Sequence, residues 1–506
     1  MVFSTTIFLF LFLPVFLGGY YLLPFRARSA WILLGSWVFY GWWRLDFLGL
    51  LVLTTVWTYL LGGIAAAGLA GSRPRRARVA LIVGVILNLG SLAYFKYFNF
   101  AVDSLNYVLS AAGADGVSAW NVILPIGISF YVFQATSYLV DVYRGDAPAA
   151  RSYLDLAAYI ALFPQLIAGP ILRYKDLADQ LRLRTHSFSK FSEGSYRFMI
   201  GFCKKVLIAD TVALIADVSF GMEQPGLLGA WLGTLAYSSQ LYFDFSGYSD
   251  MAIGLGLMMG FRFMENFNYP YISRSITEFW RRWHISLSTW LRDYLYIPLG
   301  GNKQGPLKTY RNVLLVMLLG GLWHGAAWTF VVWGAWHGGI LALERYLGNR
   351  PGAKERAKGG APSVFALPRT MFFVLLGWVV FRAPDFSGAL RMYAGLFGLQ
   401  GIGPREVLQV EIGFLSLAML ALSLVLIYMG PYMKGRSVLT APAAAGTSGT
   451  AGTAGTAGTA GTKLADLSYV SSYRLTYARL FLIPLFLLGV LKLAAESFSP
   501  FLYFQF

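Results

Sequence analysis

Apolar positions come in long blocks along this chain, with polar and basic residues confined to short gaps between them. The clear blocks are 5–24, 46–70, 79–96, 119–140, 228–243, 312–333, 367–383, 411–430 and 477–498. A helix that crosses a bilayer needs roughly 20 apolar residues, so each block predicts a membrane-embedded helix. Shorter blocks bring the expected total to about 11–13, some of them re-entrant. The predicted fold class is therefore an all-α polytopic membrane protein. The first block has no basic flank and no small-residue cleavage site, which predicts an uncleaved first helix and not a secretory signal.

Two stretches break the pattern. "ALFPQLIAGPI" (161–171) is apolar but interrupted by Pro164 and by Gly169–Pro170, and it carries Gln165. Proline removes a backbone donor and clashes with the preceding turn, so the segment is either a kinked helix or a re-entrant one. In "SITEFWRRWHISLSTWLRDYLYI" (275–297), apolar residues at 276, 279, 280, 283, 287, 290, 291 and 294 form a helical stripe. Glu278, Arg281, Arg282, Arg292 and Asp293 lie opposite. This predicts one amphipathic interfacial helix, started by a Ser275–Glu278 capping box, with His284 in the apolar row of Trp280, Leu287 and Leu291.

Composition strengthens the membrane reading. Of 506 residues, 57% are hydrophobic and only 13% charged, against about 25% charged in a soluble domain. The net charge of +17 sits in short loops. They are "RPRRAR" (73–78), Lys204–Lys205, "KQGPLKTYR" (303–311), and 345–358 with Arg345, Arg350, Lys354, Arg356 and Lys358. Short basic loops stay cytoplasmic and attract anionic lipid headgroups, so membrane lipids and not nucleic acid are the partners implied. Cys203 is the single cysteine and excludes an internal disulfide. The whole of 1–506 is expected to form one membrane domain, containing a flexible Gly-Thr-Ala loop at 441–462 that cannot bury a core.

Ionisable groups inside membrane segments are costly and mark sites or pathways. The candidates are His284, His324, His337, Asp244 and Asp250, with polar Gln165 and Gln240; His186, in a basic polar stretch, is expected at the surface. On one unbroken helix, His324 and His337 would point about 220° apart and lie roughly 20 Å apart along the axis. With no HxxxH or HExxH spacing and no cysteine cluster, no metal site is expected. An imidazole suits general-base chemistry instead: Gly325 would allow close approach to His324, with Trp323 and Trp328 as cavity walls. A histidine hydrogen-bonded between helices is the structural alternative. Asp244 and Asp250 point about 240° apart on a helix, so they are expected to pair with buried arginines or to bond across helices.

"FPQLIAGPILRY" (163–174), "YFDFSGYSDMAIG" (242–254), "NFNYPYISRSITEFWRRWHISLSTWLRDYLYIPLGGN" (266–302) and "GGLWHGAAWTFVVWGAWHG" (320–338) occur in this order. Together they resemble the membrane-bound O-acyltransferase (MBOAT) family, especially its bacterial branch that acetylates exported polysaccharides such as alginate. The opening 24 residues and the closing "FLYFQF" are similar too. The resemblance implies a ring of helices around a central catalytic tunnel, in a multi-pass protein of the bacterial inner membrane. It implies His324 and His284 as catalytic residues. His337, Trp323, Asp244, Gln165, Arg281 and Arg282 are expected to line the cavity or bind substrate. It further implies no tightly bound cofactor, acetyl-CoA as thioester donor, an exopolysaccharide as final acceptor, and a periplasmic acetyl-transferring partner of the SGNH-hydrolase-like kind. Donor phosphates would meet Arg281–Arg282 and Lys303–Lys308. A second branch of the family, which moves D-alanine to teichoic acids, shares the WHG and RWH motifs. A proton-coupled transporter and a scaffold for a periplasmic acetylase are the readings from other classes.

Overall fold

The computed structural model describes residues 1–348, 364–403, 411–433 and 478–496. The expected loop at 441–462, the basic residues Arg350, Lys354, Arg356 and Lys358, and the closing "FLYFQF" lie outside the described residues. Among the described residues every regular element is helical.

The chain opens with α1 (Phe8–Leu22), α2 (Phe25–Gly41), α3 (Leu45–Ala70), α4 (Pro74–Ala111) and α5 (Ile128–Arg144). It continues through α6 (Tyr153–Ile160), α7 (Phe163–Leu166), α8 (Tyr174–Arg182), α9 (Phe188–Cys203), α10 (Asp210–Gly221) and α11 (Gly226–Met258). Then follow α12 (Ile276–Arg282), α13 (Ile285–Leu291), α14 (Pro306–His324) and α15 (Trp328–Gly348). The last are α16 (Ala366–Arg382), α17 (Phe386–Leu396), α18 (Phe414–Met433) and α19 (Ala478–Glu496). Among the described residues, α3, α4 and Phe414–Pro431 are each long and apolar enough to cross a bilayer. Their outward apolar side chains, such as Leu60, Ile86 and Leu422, are exposed on the protein surface, as lipid-facing residues must be.

Side-chain caps start several helices: Ser152 for α6, Ser187 for α9, Ser275 for α12 and Asp385 for α17 each accept from a backbone N–H three residues on. The predicted capping box is half formed. Ser275 Oγ accepts from the Glu278 N–H at 3.0 Å, but the Glu278 carboxylate accepts from the Arg274 N–H and not from that of Ser275.

The 33-residue α11 is buried along most of its length and packs against α9, α10, α16 and α17. Gly194 and Gly201 of α9 face Gly254 and Gly247 of α11 so closely that a Cβ at any of the four would meet the other helix's backbone. Small residues bring membrane helices together in this way.

Four of the predicted blocks take a different form. The block 119–140 becomes helical only at Ile128, after Gly127 adopts φ 78°, because Pro125 and the left-handed glycine delay the start. The segment 161–171 is neither a crossing nor one kinked helix. It is the single turn α7 and irregular backbone, with every residue buried in protein, the one setting in which open backbone is tolerated at membrane depth. The blocks 275–297 and 312–333 are each broken in two, and both breaks fall beside a histidine.

Candidate active site

The first break is at His284. Trp283 closes α12, and His284 takes φ 43° and ψ 55° before α13 begins. Non-glycine residues seldom occupy this left-handed region, and such backbone clusters at functional sites. The second break is at Gly325, where α14 ends on His324 and α15 returns from Trp328. Gly321, Gly334 and Gly338 let the two helices touch: a Cβ on Gly334 would strike the Met317 carbonyl, and one on Gly321 the Phe330 carbonyl. Gly325 makes room for the Phe330 ring, so the close neighbour it admits is that side chain.

The result is two helical hairpins, each with a histidine at its apex. They are tied together at their bases, where Glu344 accepts from the Ile276 and Thr277 N–H groups and Asn312 Nδ2 donates to the Leu299 and Gly301 carbonyls. Lys303, Lys308, Arg311 and Arg345 also lie at that end, which marks it as the cytoplasmic one. From the base of α14, His324 stands about 27 Å up the helix axis. The apices meet, with the His284 and His324 ring centroids 6.3 Å apart.

His284 is fully buried. Its Nδ1 lies 3.2 Å from Asn266 Oδ1, which also accepts from the Ser286 N–H (3.2 Å) and from Ser286 Oγ (2.9 Å). Because a backbone N–H can only donate, the Asn266 atom facing it is the oxygen. His284 Nδ1 therefore carries the proton, and neutral His284 presents a bare lone pair at Nε2. That Nε2 has no hydrogen-bond partner among the described residues. Ser286 Oγ in turn accepts from the Ile171 N–H at 3.0 Å, so the buried loop after α7 braces the same network.

His324 is 4% exposed and boxed by aromatic rings: Trp323 and Trp333 at 5.1 Å and Phe381 at 5.3 Å between centroids. A narrow crevice of about 10 Å³ opens beside it, lined by Leu241, Phe245, Trp283, Trp333, Trp378 and Phe381. Phe245 also sets its edge against His284 at 4.7 Å, so the crevice wall touches both imidazoles. An apolar, water-poor site of this kind strengthens any charge interaction formed inside it.

A buried lysine holds the apex from behind. Lys96, in the middle of α4, donates to the Trp323 carbonyl (2.6 Å) and the His324 carbonyl (3.1 Å), while the Tyr97 hydroxyl donates to the Leu322 carbonyl (2.8 Å). These are orphan carbonyls at the end of α14, where a positive charge also complements the helix dipole. Lys96→Met is expected to lower turnover about tenfold or more through loss of the two hydrogen bonds to the Trp323 and His324 carbonyls. Lys96→Arg should recover part of it. Initial rates at matched, monodisperse protein check this.

The remaining predicted site residues fall in different places. The Trp323 ring lies against both histidines, with its indole N–H toward the Ser129 carbonyl. Trp328, by contrast, is exposed, donates to Ser104 Oγ and does not wall the crevice. His337 is buried one ring behind, against Trp333 at 5.0 Å and stacked on Phe279. Neither of its nitrogens has a partner among the described residues. Asp244 does not line the crevice. It pairs with Lys205 at 2.7 Å, and Lys205 also holds Asp210 at 2.6 Å. Asp250 bonds Arg197 and Lys204. Both aspartates thus serve ion pairs, but the expected arginine holds only for Asp250, which takes two bonds from Arg197 and one from Lys204, whereas Asp244 pairs with a lysine. Gln165 is fully buried and donates to the Tyr159 carbonyl, away from the crevice. Arg282 is held by Glu278 and the Asn268 carbonyl, and Arg281 is exposed. His186 is half-buried, within hydrogen-bond distance of Tyr20 and Arg28. Partial burial and the nearby Arg28 and Arg184 guanidiniums hold its pKa below the usual imidazole value. Asn266, Ser286 and Lys96 are the site residues that pattern reasoning passed over. Lys96 carried a usable signal, a lone lysine closing an apolar block.

Comparison with known proteins matches residues 146–350 to the model of the membrane-bound O-acyltransferase family, a span that contains both apex histidines. Over its full length the chain is 52% identical to a protein of Azotobacter vinelandii named probable alginate O-acetylase AlgI, covering 100% of both chains. A protein of the same name from Pseudomonas putida is 51% identical, again with 100% of each chain covered. The peptidoglycan O-acetyltransferase of Helicobacter pylori is 37% identical over 79% of this chain and 81% of its own.

Proposed function

Because this chain belongs to the membrane-bound O-acyltransferase family and is an O-acyltransferase, we propose that it moves an acetyl group from a cytoplasmic thioester, acetyl-CoA, toward the hydroxyls of an exported polysaccharide such as alginate. The observation that carries the reading is the pair of imidazoles meeting at one aromatic-walled crevice. The names of its relatives, an alginate O-acetylase and a peptidoglycan O-acetyltransferase, support acetyl as the group and a polysaccharide hydroxyl as its destination.

His324 acts as the base. It takes the proton of the attacking hydroxyl as that oxygen bonds to the thioester carbonyl carbon, giving a tetrahedral oxyanion. Collapse breaks the carbon–sulfur bond, and the departing thiolate takes the proton from His324. His284 accepts a hydrogen bond at Nε2 and so orients the hydroxyl. In its neutral form it has no N–H there to stabilise the oxyanion, so an oxyanion role does not suit it. Trp323 and the crevice rings exclude water that would hydrolyse the thioester. His337 completes the apolar cage behind the site, and the basic residues at the hairpin bases meet the donor's phosphates. A periplasmic partner of the SGNH-hydrolase-like kind receives the acetyl group and completes delivery. The protein works as one domain in the bacterial inner membrane.

The test uses the purified full chain with acetyl-labelled acetyl-CoA and a hydroxyl acceptor. Label recovered in an alkali-labile ester supports acyl transfer. Label exchanged across proteoliposomes with no ester formed would favour a transporter. A wild-type protein that forms no ester even when the periplasmic partner is supplied would favour a scaffold.

A further inference from the structure

A second cavity is lined by Asn266, the residue that holds His284. It has a volume of about 100 Å³ and lies between α9, α11 and residues 265–269. Its charges cancel. Arg197 bonds Asp250 at 2.8 Å and Glu265 at 2.5 Å, and Lys204 bonds Asp250 at 2.6 Å. Two cations thus face two carboxylates, and each of the four is paired. An ionic ligand would have to break one of these bonds.

The uncharged groups in the wall behave differently. Ser246 Oγ, Ser249 Oγ and Asn266 Nδ2 are all buried and have no hydrogen-bond partner among the described residues. Their residues are 3%, 2% and 1% exposed. A serine inside a helix ordinarily bonds the carbonyl one turn back, and neither serine does so. Being three residues apart, they share one face of α11. Orphaned polar atoms on three residues that line one cavity call for a partner. Asn266 is the link to the chemistry, because its oxygen accepts from His284 while its amide nitrogen is left for the cavity.

We propose that this cavity is a subsite for an uncharged group that both donates and accepts hydrogen bonds, a carboxamide or a hydroxyl, and that Asn266 couples its occupancy to His284. The two sources of such a group rest on the acyl-transfer reading. One is the pair of amides in the pantetheine arm of the thioester donor, and the other is the sugar hydroxyls of the acceptor.

Equilibrium binding tests the subsite without requiring turnover. Pantetheine and a mannuronate trisaccharide are titrated separately against the wild type and against Ser246→Ala/Ser249→Ala, two conservative changes on one helix face. Melting temperature and elution verify the fold. The expected result is that the double variant binds one of the two probes about tenfold more weakly, from loss of two neutral hydrogen bonds. Weakened pantetheine binding places a donor amide in the cavity, and weakened trisaccharide binding places an acceptor hydroxyl there. Unchanged affinity for both, or no wild-type binding of either, overturns the proposal and leaves the cavity to water. Should the variant unfold, Ser249→Cys, which keeps the size but weakens the donor, must show the same probe preference or the proposal fails. Failure of acyl transfer is separately visible, as wild-type binding without ester formation.

Discussion

Replacing His324 by alanine is expected to slow acetyl transfer by about 10²–10⁴-fold, the range over which a positioned general base contributes. The loss should appear in kcat, because the proton moves only as the hydroxyl attacks and the ground-state complex does not depend on it. Stability should change little by comparison. His324 sits against aromatic rings beside a crevice that already contains empty space, and the fold around it is held through its backbone, by Lys96 and by the glycine contacts of α14 with α15. Initial rates with labelled thioester, measured on variant protein of unchanged melting temperature and elution, give the figure.

Replacing Lys205 by methionine is expected to do the opposite, destabilising the protein by about 3–5 kcal/mol before any chemistry is considered. Lys205 is 3% exposed and its ammonium lies within 2.7 Å of both Asp244 and Asp210. Asp244 itself is 2% exposed on α11. Removal of the lysine leaves that carboxylate in the packed interior without its counter-charge, and solvating water cannot reach it. A further change of Asp244 to leucine removes the stranded charge, so Lys205→Met/Asp244→Leu should recover most of the loss. Thermal unfolding in detergent measures both. A single variant as stable as wild type would mean that the pair adds nothing to the fold.

The hydrophobic pattern carried the helical class and the burial of His284, His324 and His337, because burial depends on the composition of a whole block. It did not carry the breaks. Residues 275–297 keep an unbroken helical stripe, yet the chain turns at His284 through a left-handed conformation that hydropathy cannot register. In 312–333 the break falls at Gly325, in a "WHGAAW" that reads equally well as continuous helix. Both breaks arise from tertiary packing: Phe330 needs the space at Gly325, and Asn266 and Ser286 need the backbone at 284–286 to face them. Cost alone required Asp244 and Asp250 to be paired, and the arginine expected of them is met only at Asp250, by Arg197. The lysines were not foreseeable, because a π-helical turn at Lys204–Ala209 helps present neighbouring lysines to two different aspartates. Asn266 was visible as the first residue of "NFNYPY", but its role depends on an 18-residue separation from His284 that only the fold closes.

The proposed mechanism requires His284 and His324 to act together on one reacting group, and a double-mutant cycle tests that most directly. Turnover is measured for wild type, His284→Ala, His324→Ala and the double variant at matched folding. Residues that act as a unit give non-additive losses, so the double variant is predicted to be no more than about tenfold slower than the slower single variant. Losses that multiply in full would make the histidines independent, and wild-type turnover in His324→Ala would remove the site from the chemistry.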